Sequence, residues 1–221
     1  MVNIESYMQS LLGALRERFA ERLLYVGLQG SYLRGEATEN SDIDAVVLLD
    51  SLTVQDLAAY RAIVERLPEP EKACGFICGR QELANWNPLE MCNFLHGTRD
   101  YYGKAADFLP AYTQTDLVNF IKLSAGNLYH ELCHRYVHAD ARRNKEALPG
   151  LYKGVFFILQ SVYSLKDGIF YPTKQAIWKH LNAADRAVMD MAEKVRGAAD
   201  YDYDAAFRLL FNWCQWLLSE I

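Results

Sequence analysis

Gln29-Gly30-Ser31-Tyr32-Leu33-Arg34-Gly35-Glu36-Ala37-Thr38-Glu39-Asn40-Ser41-Asp42-Ile43-Asp44 joins two apolar runs, Leu23 to Leu28 and Ala45 to Leu49. The runs read as strands, and the segment between them as the place where chemistry is carried. Side chains on an extended chain alternate faces, so Asp42 and Asp44 point the same way. Two carboxylates held that close repel, and a cation between them relieves the repulsion. Mg²⁺ suits the position, because it binds through one or two carboxylates plus substrate phosphates. At the other end of the segment, Gly30 lets the backbone come close to a ligand. Exposed N–H groups beside the Ser31 hydroxyl suit phosphate oxygens. The two halves together point to a metal-bound nucleoside triphosphate.

Turn vocabulary alone would account for Gly30-Ser31 and Asn40-Ser41-Asp42, giving a hairpin with an acidic lip. It does not require Asp44 once the strand has begun. Gly30-Ser31, then Arg34-Gly35, Ser41 and Asp42-x-Asp44 in that order resemble the signature of the DNA polymerase β-type nucleotidyltransferase superfamily. The pattern is most similar to the minimal and the aminoglycoside (kanamycin-type) nucleotidyltransferases. The resemblance covers about the first half of the chain, and closely only residues 23 to 50.

That resemblance implies a mixed sheet with flanking helices and a Mg²⁺-dependent transferase. Gly30 and Ser31 would hold the triphosphate, with Arg34 and Ser41 as further nucleotide contacts, and Asp42 and Asp44 would be the catalytic metal ligands. Two ions there would stabilise both the attacking and the leaving oxygen. The implied reaction moves a nucleoside monophosphate, AMP from ATP, to a hydroxyl of a small acceptor such as an aminoglycoside-like antibiotic, which is antibiotic-resistance chemistry. The family usually adds a third carboxylate on a later strand. The candidate strand, Ala73 to Cys78, contains none. Glu71 and Glu82 flank it, and the expected position holds Cys74 or Gly75. A general base contributes about 10²–10⁴ in rate, so a catalytically weak nucleotide-binding or antitoxin-like interaction module is the alternative reading.

Composition sets the wider frame. A chain of 221 residues can bury a full core and accommodates two compact units. No apolar stretch reaches membrane-spanning length, and the first residues lack the basic and apolar regions of an export signal, so the expectation is a cytoplasmic protein without a membrane partner. The formal net charge of -5 argues against a nucleic-acid partner, whose backbone is gripped mainly by Lys and Arg. The expected partners are a nucleoside triphosphate and a small hydroxyl acceptor, with a second copy of the chain as a further candidate. Cys74, Cys78, Cys92, Cys133 and Cys214 form no Cys-x-x-Cys pair and read as small apolar side chains.

Periodicity gives an α+β protein: a strand-and-helix domain at 1–112, which the resemblance implies is a nucleotidyltransferase domain, followed by an all-α helical bundle at 113–221. Helical spacing covers Ile4 to Glu21, and Thr53 to Leu67 reads as a helix stopped by Pro68 and Pro70. Gln81 to Pro110 is irregular and rich in Trp86, Phe94, Tyr101, Tyr102 and Phe108, aromatics that either pack a core or line an acceptor pocket. Beyond Tyr112, helices are expected at Thr115 to His138, Leu151 to Lys166, Thr173 to Leu181, Ala184 to Val195 and Ala205 to Glu220. Aminoglycoside nucleotidyltransferases place a helical domain in this position, and Ile169-Phe170-Tyr171-Pro172-Thr173 resembles an interhelical segment of the kanamycin-type members. In that arrangement Arg135, Lys153 or Lys174 would be the basic residues to meet the nucleotide.

His130-Glu131-Leu132-Cys133-His134 fits the His-Glu-x-x-His pattern of zinc metalloproteases, and His138 extends the stripe by a further turn. At about 100° per residue, the histidines lie opposite the apolar line of Leu117, Ile121, Ala125, Leu128, Leu132 and Tyr136. They therefore face solvent or the interdomain cleft rather than the bundle core, whereas a protease needs its zinc in a walled cleft with a separately placed third ligand.

Overall fold

The computed structural model describes residues 2–197 and 200–221. The fold is α+β, and the chain divides into two compact units, Met1–Ala111 and Tyr112–Ile221.

The first unit is built on a four-stranded sheet of order β3-β2-β1-β4, with β1 at Leu23–Leu28, β2 at Ile43–Leu49, β3 at Ala73–Gly79 and β4 at Arg99–Tyr102. Strand β1 runs antiparallel to β2 and β4, and β2 runs parallel to β3. Helix α1 (Ile4–Phe19) lays Tyr7, Met8, Leu11, Leu12, Leu15 and Phe19 on one face of this sheet, where Ile43, Ala45, Val47 and Leu49 of β2 meet them. The parallel crossover from β2 to β3 passes through α3 (Val54–Val64), which starts at a Thr53–Asp56 capping box. The opposite face carries a smaller cluster of Tyr25, Val46, Leu48, Cys78, Leu83 and Ala105. Burial pushes the Cys78 thiol up to about 12, in keeping with its role as a small apolar side chain.

Arg22 fastens one end of the sheet. Its guanidinium donates to both oxygens of buried Asp56 at 2.9 and 3.0 Å, to Asp50 at 3.1 Å and to the Ser51 carbonyl at 2.9 Å. The start of β1 is thereby tied to the turn between β2 and α3. These bonds, with the Thr53 hydroxyl and N–H, hold the Asp56 carboxyl well below the usual carboxylate range.

Segment 80–110, irregular by its pattern, contains the short helices α4 (Arg80–Ala84) and α5 (Met91–His96) and the edge strand β4. Strand β4 is only four residues long, too short for a period-two pattern to stand out. The loop expected after β1 is in fact a five-residue helix, α2 (Gly30–Arg34).

The second unit holds α6 (Gln114–His138), α7 (Ala141–Lys153), α8 (Val155–Asp167), α9 (Lys174–Trp178), α10 (Ala183–Gly197) and α11 (Tyr203–Glu220). Helix α7 is absent from the periodic pattern because its sequence is polar and contains Pro149. The proline lacks the N–H that would bond the Lys145 carbonyl. The Tyr201 hydroxyl donates to that carbonyl instead, at 2.5 Å. The run expected as one helix from Leu151 is broken at Gly154, which ends α7 and starts α8.

Asp185 is the polar hub of this unit. It is 2% exposed and accepts from the Tyr163 hydroxyl at 2.9 Å and the Trp213 indole N–H at 2.8 Å, linking α8, α10 and α11. Asp185→Ala leaves both donors buried without an acceptor, at about 1–3 kcal/mol each, and should lower unfolding free energy by about 2–5 kcal/mol in a denaturant titration. Asp185→Asn should lose less. In the first unit, the folded Asp56 carboxyl titrates below its unfolded value of about 3.9. The stability it contributes is complete above about pH 4 and is lost as pH falls below that. The melting temperature of an Asp56→Asn variant should therefore depend less on pH in that acid range than that of the parent.

Candidate active site

Ile43 is 0% exposed and packs into the core beneath α1, which fixes the orientation of its neighbours. Alternation turns Asp42 and Asp44 to the other face of the sheet, where Asp42 is exposed and Asp44 half-buried. Asp44 lies inside β2 rather than before it, and its backbone carbonyl accepts the Gln29 N–H at 2.8 Å. That bond carries the β1–β2 pairing one residue past Leu28 and sets Gly30 directly over the Asp44 side chain. A Cβ at Gly30 would stand 1.8 Å from Asp44 Oδ2, and Gly30 has φ +74°. Only glycine satisfies both the close approach and the left-handed backbone.

Gly30 and Ser31 open α2, whose first N–H groups have no intrahelical acceptors. One residue of the expected phosphate-holding pair, Gly30, thus lies against one residue of the expected metal-holding pair, Asp44. Arg34, at the end of α2, pairs with Glu36 at 2.9 Å, and both side chains are largely covered. Ser41 shapes the turn: its hydroxyl accepts the Thr38 N–H at 2.8 Å and closes the loop that leads into Asp42.

The parallel register pairs Asp44 with Cys74 and Ala45 with Gly75. Lateral neighbours in a sheet share a face, so Cys74 is the residue beside Asp44, and its thiol is exposed. Gly75 cannot carry a side chain there. Its φ is +119°, and a Cβ would meet the Ala45 carbonyl oxygen at 2.0 Å. Glu82 belongs to the far end of β3, since a Cβ at Gly79 would meet its carboxylate, and Gly79 pairs with Leu49. Among the described residues, no group of three or more His, Cys, Asp and Glu side chains is arranged to hold a metal ion. A site at Asp42 and Asp44 would rest on two carboxylates, which is enough for Mg²⁺ that also takes substrate phosphate oxygens.

The same acid-bearing face continues past Asp44 into a cavity of about 150 Å³ lined by Gln29, Phe76, Leu83, Trp86, Glu90 and Phe94. Of the aromatics between Gln81 and Pro110, Trp86 and Phe94 line this cavity, Phe108 packs on the small cluster behind it, and Tyr101 and Tyr102 pack toward α1.

In the second unit, His130, His134 and His138 form an exposed ladder on α6, with ring centroids 6.1 and 4.8 Å apart. Glu131, which would activate water in a protease, accepts instead from Arg135 at 2.6 Å. The protease pattern is left without a metal site among the described residues. Lys174 likewise donates to Glu193 at 2.5 Å. No helix among the described residues is long and apolar enough to cross a membrane.

The family model of the nucleotidyltransferase domain matches residues 8–77. The chain is 41% identical over 64 residues to the protein adenylyltransferase MntA of Thermococcus cleftensis, a stretch that makes up 29% of this chain and 61% of that protein. The chain therefore spans less than two thirds of that curated relative. Its fold is similar to the crystal structure of spectinomycin adenyltransferase AAD(9) from Enterococcus faecialis with ATP and spectinomycin. The TM-score is 0.62 at 14% identity, covering 99% of this chain and 100% of that one.

Gly30→Ala places a methyl group against Asp44 and forces a strained backbone that costs on the order of 1–3 kcal/mol. It should abolish nucleoside triphosphate binding, read by calorimetry, while the far-ultraviolet circular dichroism stays that of the parent.

Proposed function

Starting from a nucleotidyltransferase domain of the DNA polymerase β type in the first unit, we propose that the protein transfers a nucleoside monophosphate, AMP from ATP, to a hydroxyl of a small acceptor. The carrying observation is the contact of Gly30 with the Asp44 carboxylate. It supports the reading because a backbone suited to phosphate oxygens lies against a carboxylate suited to a metal ion, with no room for a side chain between them. The local identity to an adenylyltransferase supports adenine as the base.

In this reading, Gly30 and Ser31 hold the β- and γ-phosphates through backbone N–H groups and the serine hydroxyl. Asp42 and Asp44 hold Mg²⁺, which when bound neutralises phosphate charge and orients the α-phosphate. Arg34, steadied by Glu36, adds positive charge at the end of α2. The acceptor oxygen forms a bond to the α-phosphorus as the bond to the β-phosphate oxygen breaks. Pyrophosphate leaves, and the hydroxyl proton passes to water. A small acceptor, as in the aminoglycoside-directed relatives, suits an acidic chain better than a nucleic acid does. The reading also places the enzyme in the cytoplasm, where ATP is supplied.

One observation favours a second reading, a nucleotide-binding module of low turnover: the residue beside Asp44 is Cys74, not a carboxylate. The thiol is a poorer base than a carboxylate is for a metal-bound hydroxyl, so the two readings differ in rate rather than in ligand. Both are tested by one series. Asp42→Asn and Asp44→Asn should each abolish Mg²⁺-dependent pyrophosphate release from ATP, with melting temperature retained; undiminished release would refute the assignment. Cys74→Asp should raise the release rate by about 10-fold or more, and an unchanged rate would show that position 74 does not serve proton transfer.

A further inference from the structure

The cavity is half-open to solvent, with Trp86 and Glu90 exposed at its mouth, and its volume of about 150 Å³ accommodates a single benzene-sized group. Three of its walls are aromatic. Phe76 meets Trp86 with ring centroids 5.2 Å apart and Phe94 with centroids 6.2 Å apart, both at 77°, so Phe76 packs edge to face with each. Ring faces carry negative potential and attract organic cations.

Among the described residues, the lining has one ionisable side chain, Glu90. Its Oε2 accepts the Trp86 indole N–H at 2.5 Å, which fixes the indole and leaves Oε1 as a further acceptor. The wall nearest the acid pair is also held in place: the Gln29 amide donates to Thr98 Oγ1 at 2.7 Å, and that hydroxyl donates to the Phe94 carbonyl at 2.5 Å. An aromatic lining with a single carboxylate favours a positive group over the phosphates of the nucleotide.

We propose that this cavity anchors the acceptor by an ammonium-bearing end no larger than one ring. Gln29 bonds the Asp44 backbone, so a ligand seated here has its remaining length beside the acid pair, where a hydroxyl can be presented for transfer. The presentation of the hydroxyl rests on the nucleotidyl-transfer reading; the capture of a cation does not.

Choline and 3,3-dimethylbutan-1-ol have the same shape and differ in a quaternary nitrogen against a carbon. Titrated by calorimetry into the full chain without nucleotide, choline should bind at least about 10-fold tighter than the neutral alcohol. Glu90→Gln, which keeps an acceptor for Trp86, should cut the choline affinity by about 10-fold, and Trp86→Leu should remove measurable binding. A melting temperature near that of the parent certifies the fold of each variant. Equal affinity for the two probes, or no choline binding by the folded parent, overturns the proposal. Displacement of choline by ATP alone also overturns it, since the cavity would then be the nucleobase site. Asp44→Asn separates this proposal from the transfer reading: choline binding should persist in that variant whether or not pyrophosphate release proves to require Asp44.

Discussion

The close approach of the Gly30 backbone to the Asp44 carboxylate governs the candidate site. Nothing but hydrogen fits between them, so the position of one fixes the position of the other. The constraint is transmitted from the core: Ile43 and Ala45 are buried under α1, Asp44 between them must face outward, and the Gln29 N–H bond to Asp44 draws the end of β1 across it. The burial of four aliphatic side chains on one face of β2 is therefore what aims the carboxylate on the other. A site built this way costs no separate ordering of a loop when ligand arrives.

In the proposed reaction, Cys74 would bear on speed more than on the kind of reaction. Transfer of a phosphoryl-type group depends chiefly on positioning and on charge stabilisation, the part the proposal gives to Gly30, Ser31, Asp42 and Asp44. A carboxylate in the third position adds proton transfer to that. The backbone also bears on where such a group could be carried, because Gly75 is pressed against Ala45 while Cys74, the lateral neighbour of Asp44, is exposed.

The parts of the fold legible in the sequence were those written in long repeats. Strand β1 spans the expected Leu23–Leu28, and α6, α10 and α11 lie within a residue or two of their apolar periodicity. Strand β2 begins at Ile43, two residues earlier than its apolar run, because a strand includes whatever residues pair, charged or not. What escaped was held by tertiary contacts rather than by pattern. Helix α7 survives an internal proline because Tyr201 takes up the orphaned carbonyl, and β4 is recognisable only from its pairing with β1. At the candidate site, the positions of Asp42, Asp44, Gly30 and Ser31 were legible from spacing. The choice between Cys74 and Gly75, the closure of the turn by Ser41 and the pairing of Arg34 with Glu36 were not, since each depends on register or on a side-chain partner.

The Arg22 clamp lies at the opposite end of β2 from Asp44. One end of the strand is riveted by charge-assisted bonds to two aspartates and a carbonyl. The other ends in an exposed acid and a loop closed by a single serine. The acid-bearing end is nevertheless held on both sides, by β1 through Leu28 and the Gln29 bond and by β3 through Ala73 and Cys74. A strand anchored at both ends keeps its depth under load, so an arriving ligand meets a carboxylate whose height above the sheet is already set.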